Sequence, residues 1–159
     1  MNTLNVSSLS FAEQFVIWAI RISLSPTPTT EQVDRTLTDA FRLLRIPGAL
    51  HSFLDFVGVA AIAWHDTQRV PDVRCTCSAS VGEDEWRLLQ TLAALQRREL
   101  ELASSWMRDE LPPPHMRILM DRGLMFASML QQRGCVLPVA GTTLSDPPLP
   151  RVTTSASLH

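Results

Sequence analysis

The chain has 159 residues, of which 45% are hydrophobic, so it can form one domain with a real core and is not disordered throughout. Its formal net charge of -2 gives no global attraction to nucleic acid or to an anionic membrane. The three cysteines are an odd number and no signal-peptide pattern precedes them, which argues against a secreted disulfide scaffold. We therefore expect a cytoplasmic protein.

Residues 10–24 predict the first helix. Ser10 and Glu13 have the spacing of a capping box, and an apolar run follows them. Beside the main apolar stripe of this helix, Val16 and Ile20 form part of a second one on the other side. A helix with two apolar stripes predicts contacts on both sides.

A second, amphipathic helix is predicted from Thr29 to the turn at Pro47-Gly48. The run Ala49–Trp64 that follows is apolar on nearly every side, so lipid or other helices must surround it. A membrane span needs about 20 apolar residues, and this run is shorter and contains His51 and Asp55. We expect it to be the central helix of a bundle.

The second half of the chain predicts a loop and then more helices. Residues 66–80 show no period, and Ser80 and Glu83 form another possible capping box after them. The apolar face shifts at residues 97–101, which predicts a break between two helices. Three prolines precede the last helix, which should end just before Gly134.

These elements predict an all-α fold, a single compact bundle of five to six helices around the buried helix at about 49–64. The bundle should occupy residues 1–137, and the Pro/Ser/Thr-rich residues 138–159 predict a disordered tail. Large aromatic side chains should supply much of the core: Phe11, Phe15, Trp18, Phe41, Phe53, Phe56, Trp64, Trp86 and Trp106.

The last helix also has a second apolar stripe, which contains Ile118, Met125 and Met129. Together with Val16 and Ile20 it predicts an adaptable surface for another protein or a second copy of the chain. The alternative is that both helices are sandwiched inside their own bundle. No catalytic motif is present, so the leading hypothesis is a non-enzymatic interaction or regulatory module.

A metal- or redox-responsive protein is the first alternative. Cys75 and Cys77 lie in the loop, His65 precedes them, and Cys135 follows the last helix. These residue types are ligands of zinc or iron, but one residue separates the cysteine pair, where zinc sites usually have two to four. The other interpretation is that they are small loop residues without chemistry.

Small-ligand binding is the second alternative. His51 and Asp55 are four residues apart on one helix and share a face, which could form a pocket in the bundle. The competing interpretation is a buried hydrogen bond between two polar groups. The arginines of the fourth to sixth helices alternate with acidic residues, which is typical of a solvated surface and does not predict nucleic-acid binding.

Overall fold

The computed structural model describes residues 3–26 and 29–141. In these ranges the chain forms a short 3-10 helix, Val6–Ser8, and six α-helices: α1 (Phe11–Leu24), α2 (Thr30–Leu43), α3 (Ala49–Asp66), α4 (Glu83–Gln96), α5 (Leu100–Met107) and α6 (Pro113–Gln132). The predicted all-α bundle is confirmed. The most extensive contacts join α3 to α6, and α4 packs against both α5 and α6.

The first two helices begin where their capping residues predict. The backbone N–H of Ser10 donates to the carboxylate of Glu13 at 2.7 Å, and the Ser10 hydroxyl accepts from the Glu13 N–H. Thr29 and Gln32 form the same reciprocal pair before α2. Each box pairs two backbone N–H groups that the first helical turn would otherwise leave without partners.

The prediction of a capping box that begins at Ser80 is wrong. The cap of α4 is Gly82, and its N–H donates to the Glu85 carboxylate at 2.7 Å. Ser80 is extended instead, because it forms an antiparallel bridge with Asn5 near the N-terminus. The chain therefore stays extended for two residues longer than the capping pattern predicts.

Three helices end in the left-handed region without a glycine. Arg45, Gln68 and Arg98 have φ values of 59°, 55° and 60°. At Arg98 the N–H donates to Leu95 and the next N–H donates to Ala94, the two bonds of a Schellman motif. This turn separates α4 from α5, so the predicted break at 97–101 is confirmed.

Four phenylalanines join four helices in the core. Phe41 of α2 lies with its ring centroid 5.3 Å from that of Phe15 and 5.5 Å from that of Phe53. Phe126 of α6 continues the cluster at 5.1 Å from Phe53. Tilted rings at such distances add to the free energy of apolar burial. Phe11 does not belong to the core, since it is the first residue of α1 and is exposed.

The helix predicted at 49–64 extends to Asp66, and it is buried along one side only. Eight of the 18 residues of α3 are buried, against eleven of the 14 in α4, so α4 is the more enclosed of the two. No helix in the part of the chain that the structure describes is long and apolar enough to cross a membrane. The outer side of α3 is exposed to solvent.

Two buried glutamines of α4 hold the chain that follows α6. The side-chain amide of Gln96 donates to the carbonyl of Cys135 at 2.8 Å and accepts from the N–H of Leu137 at 2.7 Å. Gln90 accepts from the N–H of Ala140 at 2.7 Å. These bonds supply partners for backbone groups that belong to no helix, among them the buried N–H of Leu137.

The tail predicted from residue 138 lies mostly in residues 142–159, outside the described residues, so the division of the chain at that point stays a prediction. Within the described part, Val139 is buried. The packed chain therefore continues to at least this residue.

Candidate functional site

Helices α3 and α6 lie side by side and run in opposite directions. His115 at the start of α6 has its Nε2 atom 3.7 Å from the carboxylate of Asp66 at the end of α3. Arg122 in the middle of α6 has its Nε atom 3.7 Å from the carboxylate of Asp55. The two helices therefore present one continuous surface on their outer side.

We call this surface the α3–α6 face. It consists of residues that repeat at helical spacing and so lie on the same side of each helix: His51, Asp55, Gly58 and Ile62 on α3, and Ile118, Arg122 and Met125 on α6. Ile62, Ile118 and Met125 are 55%, 49% and 43% exposed. Three large apolar side chains are thus exposed on this face, and two of them, Ile62 and Ile118, line one cavity.

A shallow cavity of about 300 Å³ lies in the middle of the face. Gly58 forms part of its lining, and Ile62 and Ile118 are among the apolar side chains around it. Asp55 and Arg122 supply the polar part. The result is a groove with an apolar centre and one charge of each sign.

The glycine in this groove is not explained by the packing of the chain itself. A Cβ atom added at Gly58 would meet no atom within 4 Å. At Gly123 on the buried side of α6, a Cβ atom would lie 2.8 Å from Leu95 and 3.0 Å from Phe56. The core therefore requires glycine at position 123, while the described structure leaves room for a side chain at position 58.

Charged groups on the face are paired loosely and remain in contact with water. The Nε2 atom of His51 lies 3.4 Å from the carboxylate of Asp55, and Arg122 lies 3.8 Å from Asp121 as well as near Asp55. Pairs this exposed contribute little to stability. They leave the face with both signs of charge available to a second molecule.

The predicted interface residues separate into two groups. Ile118 and Met125 lie on the exposed face, and Met129, one turn further along the same stripe, is half-buried against the core. Val16 and Ile20 have no exposed surface. The second apolar stripe of α1 therefore packs inside the chain's own core and does not form a surface for a partner. For α1 this is the alternative in which the helix is sandwiched within its own bundle.

The predicted buried pair His51 and Asp55 is not buried. The His51 side chain is 85% exposed, because the outer side of α3 faces water and not another helix. A hydrogen bond that satisfies two buried groups is therefore not its role. Asp55 lines the shallow groove at Gly58, so the predicted ligand pocket becomes part of the α3–α6 face.

The four predicted metal ligands do not form a metal site in the described part of the chain, where no cluster of three or more metal-ligating side chains occurs. Cys135 lies beside Gln96 at the end of α4, while the Cys75 loop binds Glu85 near its start. Eleven residues of helix separate these points by about 17 Å. Cys75 and Cys77 are both exposed, and Cys135 is half-buried.

A buried ion pair fixes the loop that carries the two cysteines. Arg21 and Glu85 are 3% and 0% exposed, and the guanidinium donates to both carboxylate oxygens at 2.8 and 3.0 Å. The same guanidinium donates to the carbonyls of Ser78 and Ser80, and the carboxylate accepts from the N–H of Arg74. Nothing in the sequence pairs residues 21 and 85, and only the apolar surroundings of Arg21 hint at its burial.

A larger cavity of about 550 Å³ lies at the end of α3 and is lined by Trp64, His65 and Arg69, among others. The Nε1 atom of Trp64 has no hydrogen-bond partner within residues 3–26 and 29–141. Arg69 lies 2.9 Å from the buried Asp84 and 3.0 Å from Glu110. Arg87 pairs with the same two carboxylates, so Arg69 belongs to a network of ion pairs and is not a free cation of this cavity.

Comparisons with known proteins give no relative. No protein-family model, curated protein or solved structure matches this chain.

Proposed function

We propose that this protein is a non-enzymatic helical interaction module that binds a second copy of itself through the α3–α6 face. The observation that supports the proposal is the pair of exposed side chains Ile62 and Ile118 at the open groove at Gly58, with exposed Met125 two turns further along α6. Apolar side chains scattered singly over a surface need no explanation, whereas a contiguous apolar patch with a polar rim is typical of an interface.

Gly58 supports close approach by another chain. A glycine in the middle of a helix costs about 1 kcal/mol relative to alanine. The described structure does not need this glycine, because a Cβ atom there would meet nothing within 4 Å. A helix or side chain from a second molecule would fill that space, and the interface would then offset the cost of the glycine.

The charges favour a second copy over a partner of strongly acidic or basic character. The groove contains one carboxylate, Asp55, and one guanidinium, Arg122, so its formal charges cancel. In a two-fold symmetric contact, the α3–α6 face of one chain packs against the same face of the second chain. An acidic and a basic side chain that lie away from the symmetry axis can then pair across the contact. A partner of strong single charge would find half of this rim repulsive.

The test is the mass of the protein in solution, measured by sedimentation equilibrium over a range of micromolar concentrations. We expect a species of twice the 17.7 kDa chain. Ile118→Glu and Gly58→Leu should each convert it to monomer, since one places a charge in the apolar patch and the other fills the groove. Both sites are open in the single chain, so helical circular dichroism should be unchanged.

A matched control comes from an exposed apolar residue away from the face. Leu43, at the end of α2, is 84% exposed. Leu43→Glu removes a comparable apolar side chain from the surface and should leave the mass at that of the dimer. A wild-type protein that is monomeric throughout, or an Ile118→Glu variant that still associates, would refute self-association through this face.

We also infer a cytoplasmic location, in which thiols stay reduced. The three cysteines of the described structure are all free, which supports this location.

A further inference from the structure

The loop between α3 and α4 holds two cysteines between fixed points. The N–H of Arg74, just before Cys75, donates to the Glu85 carboxylate at 2.8 Å. The carbonyl of Ser78, just after Cys77, accepts from Arg21 at 2.8 Å. Both anchors belong to the buried ion pair, so the three residues between them project from a segment that is fixed at both ends.

Within this short segment a turn brings the two cysteines close together. The N–H of Ser78 donates to the carbonyl of Cys75 at 3.0 Å, which folds the segment into a turn. Both cysteines are exposed and one residue separates them within the turn, so their side chains are close enough to interact. A turn fixed at both ends thus presents a dithiol to solvent.

The two thiols are not equivalent. The hydrogen bond from the Cys77 thiol, together with backbone N–H groups and the charge of Arg21, lowers the pKa of Cys75. The same contact raises the pKa of Cys77, because a Cys75 thiolate beside it disfavours a second negative charge. Cys75 therefore supplies the larger fraction of thiolate, the form that attacks disulfides.

We propose that Cys75 and Cys77 are a thiol–disulfide exchange site, in which Cys75 attacks an external disulfide and Cys77 resolves the product. This site is separate from the α3–α6 face and does not depend on the proposed self-association. Its substrates are disulfides that reach an exposed turn, such as glutathione disulfide or an exposed disulfide of another protein.

The exchange proceeds in two steps. The Cys75 thiolate forms a bond to one sulfur of the external disulfide, the original S–S bond breaks, and one thiolate leaves. Cys77 then loses its proton to solvent and attacks the Cys75 sulfur, which releases the second thiolate. Two electrons pass from the protein to the external disulfide, and the protein retains a Cys75–Cys77 disulfide. Exposed disulfides of this kind are readily reduced again.

The test uses the full chain with Cys135→Ser, which removes the third thiol, and glutathione disulfide as the oxidant. Intact mass spectrometry should show a product lighter than the reduced chain by two hydrogen atoms, and peptide mapping should place the bond between Cys75 and Cys77. Adding Cys77→Ser should stop the reaction at a glutathione adduct on Cys75, because the resolving thiol is gone.

The reciprocal variant completes the test. With Cys75→Ser, Cys77 should form a glutathione adduct but no intramolecular disulfide, because the second thiol is gone. The proposal would be overturned if the dithiol protein gave only glutathione adducts or intermolecular disulfides, or if brief alkylation of the dithiol protein labelled Cys77 before Cys75. Serine is close in size to cysteine and both sites are exposed, so neither variant should alter the fold.

Discussion

Replacing Glu85 by glutamine should destabilise the protein strongly, although it exchanges a single heavy atom. The carboxylate of Glu85 accepts two bonds from Arg21 and one each from the N–H groups of Arg74 and Gly82. A glutamine keeps the shape but turns one oxygen into an NH₂ group. That group must face two donors whichever way the amide is turned, and the guanidinium of Arg21 stays buried without its counter-charge.

The size of the effect follows from the burial of the pair. Breaking a buried ion pair by removing one partner costs about 3–5 kcal/mol, because an uncompensated charge remains inside. For a chain of this length 1 kcal/mol lowers Tm by about 2–4 °C, so Glu85→Gln should lower Tm by about 6–20 °C. The loop that carries the cysteines should loosen as well, since it loses an anchor at Arg74.

Urea unfolding followed by circular dichroism measures the free energy directly, and the chain contains its own control. Arg35 and Glu31 form a comparable ion pair on α2 with side chains 73% and 83% exposed. Glu31→Gln should change the free energy of unfolding by less than about 0.5 kcal/mol. If Glu85→Gln cost no more than Glu31→Gln, the stability of the fold would not depend on the buried pair, and the reasoning from its burial would be wrong.

Three further predictions test other parts of the molecule. Gly58→Ala should stabilise the monomer by about 1 kcal/mol in urea unfolding at low protein concentration, whereas Gly123→Ala should destabilise it because the new methyl group overpacks the core. Gln96→Leu should cost about 2–4 kcal/mol in the same assay, since it leaves buried backbone groups after α6 unpaired. Alkylation by iodoacetamide should rise with pH at a lower midpoint for Cys75 than for Cys77, because their pKa values shift in opposite directions, and equal midpoints would contradict the thiol contact.

The sequence predicts the helices well because their signals are local. The capping boxes at Ser10 and Thr29 and the shift of the apolar face near residue 98 each lie within a few residues of the boundary they predict. Helix ends at Arg45 and Gln68 lack such a signal, because a left-handed turn usually shows itself as a glycine and neither position has one.

The candidate sites are harder to predict because they depend on which side of a helix faces outward. The run Ala49–Trp64 is apolar nearly all round, so periodicity cannot show that His51 and Ile62 face water. The same limit applies to Val16 and Ile20, whose stripe is as apolar as that of α6 but lies inside the core. Contacts between residues distant in sequence, such as Arg21 and Glu85, cannot be predicted from periodicity, because the two residues are not at a repeating spacing.

The stability of the single chain accounts for some of its unusual residues and not for others. The buried polar groups Glu85 and Gln96 each have partners within the chain, so the stability of the monomer explains them. Gly58 and Ile118 have no such explanation. Glycine at position 58 makes the single chain less stable than alanine would, and the exposed isoleucine at position 118 makes it less soluble than a polar residue would. A contact that fills the groove would account for both residues together. The stabilisation of the monomer by Gly58→Ala and the loss of association in Gly58→Leu would then be two consequences of one open space.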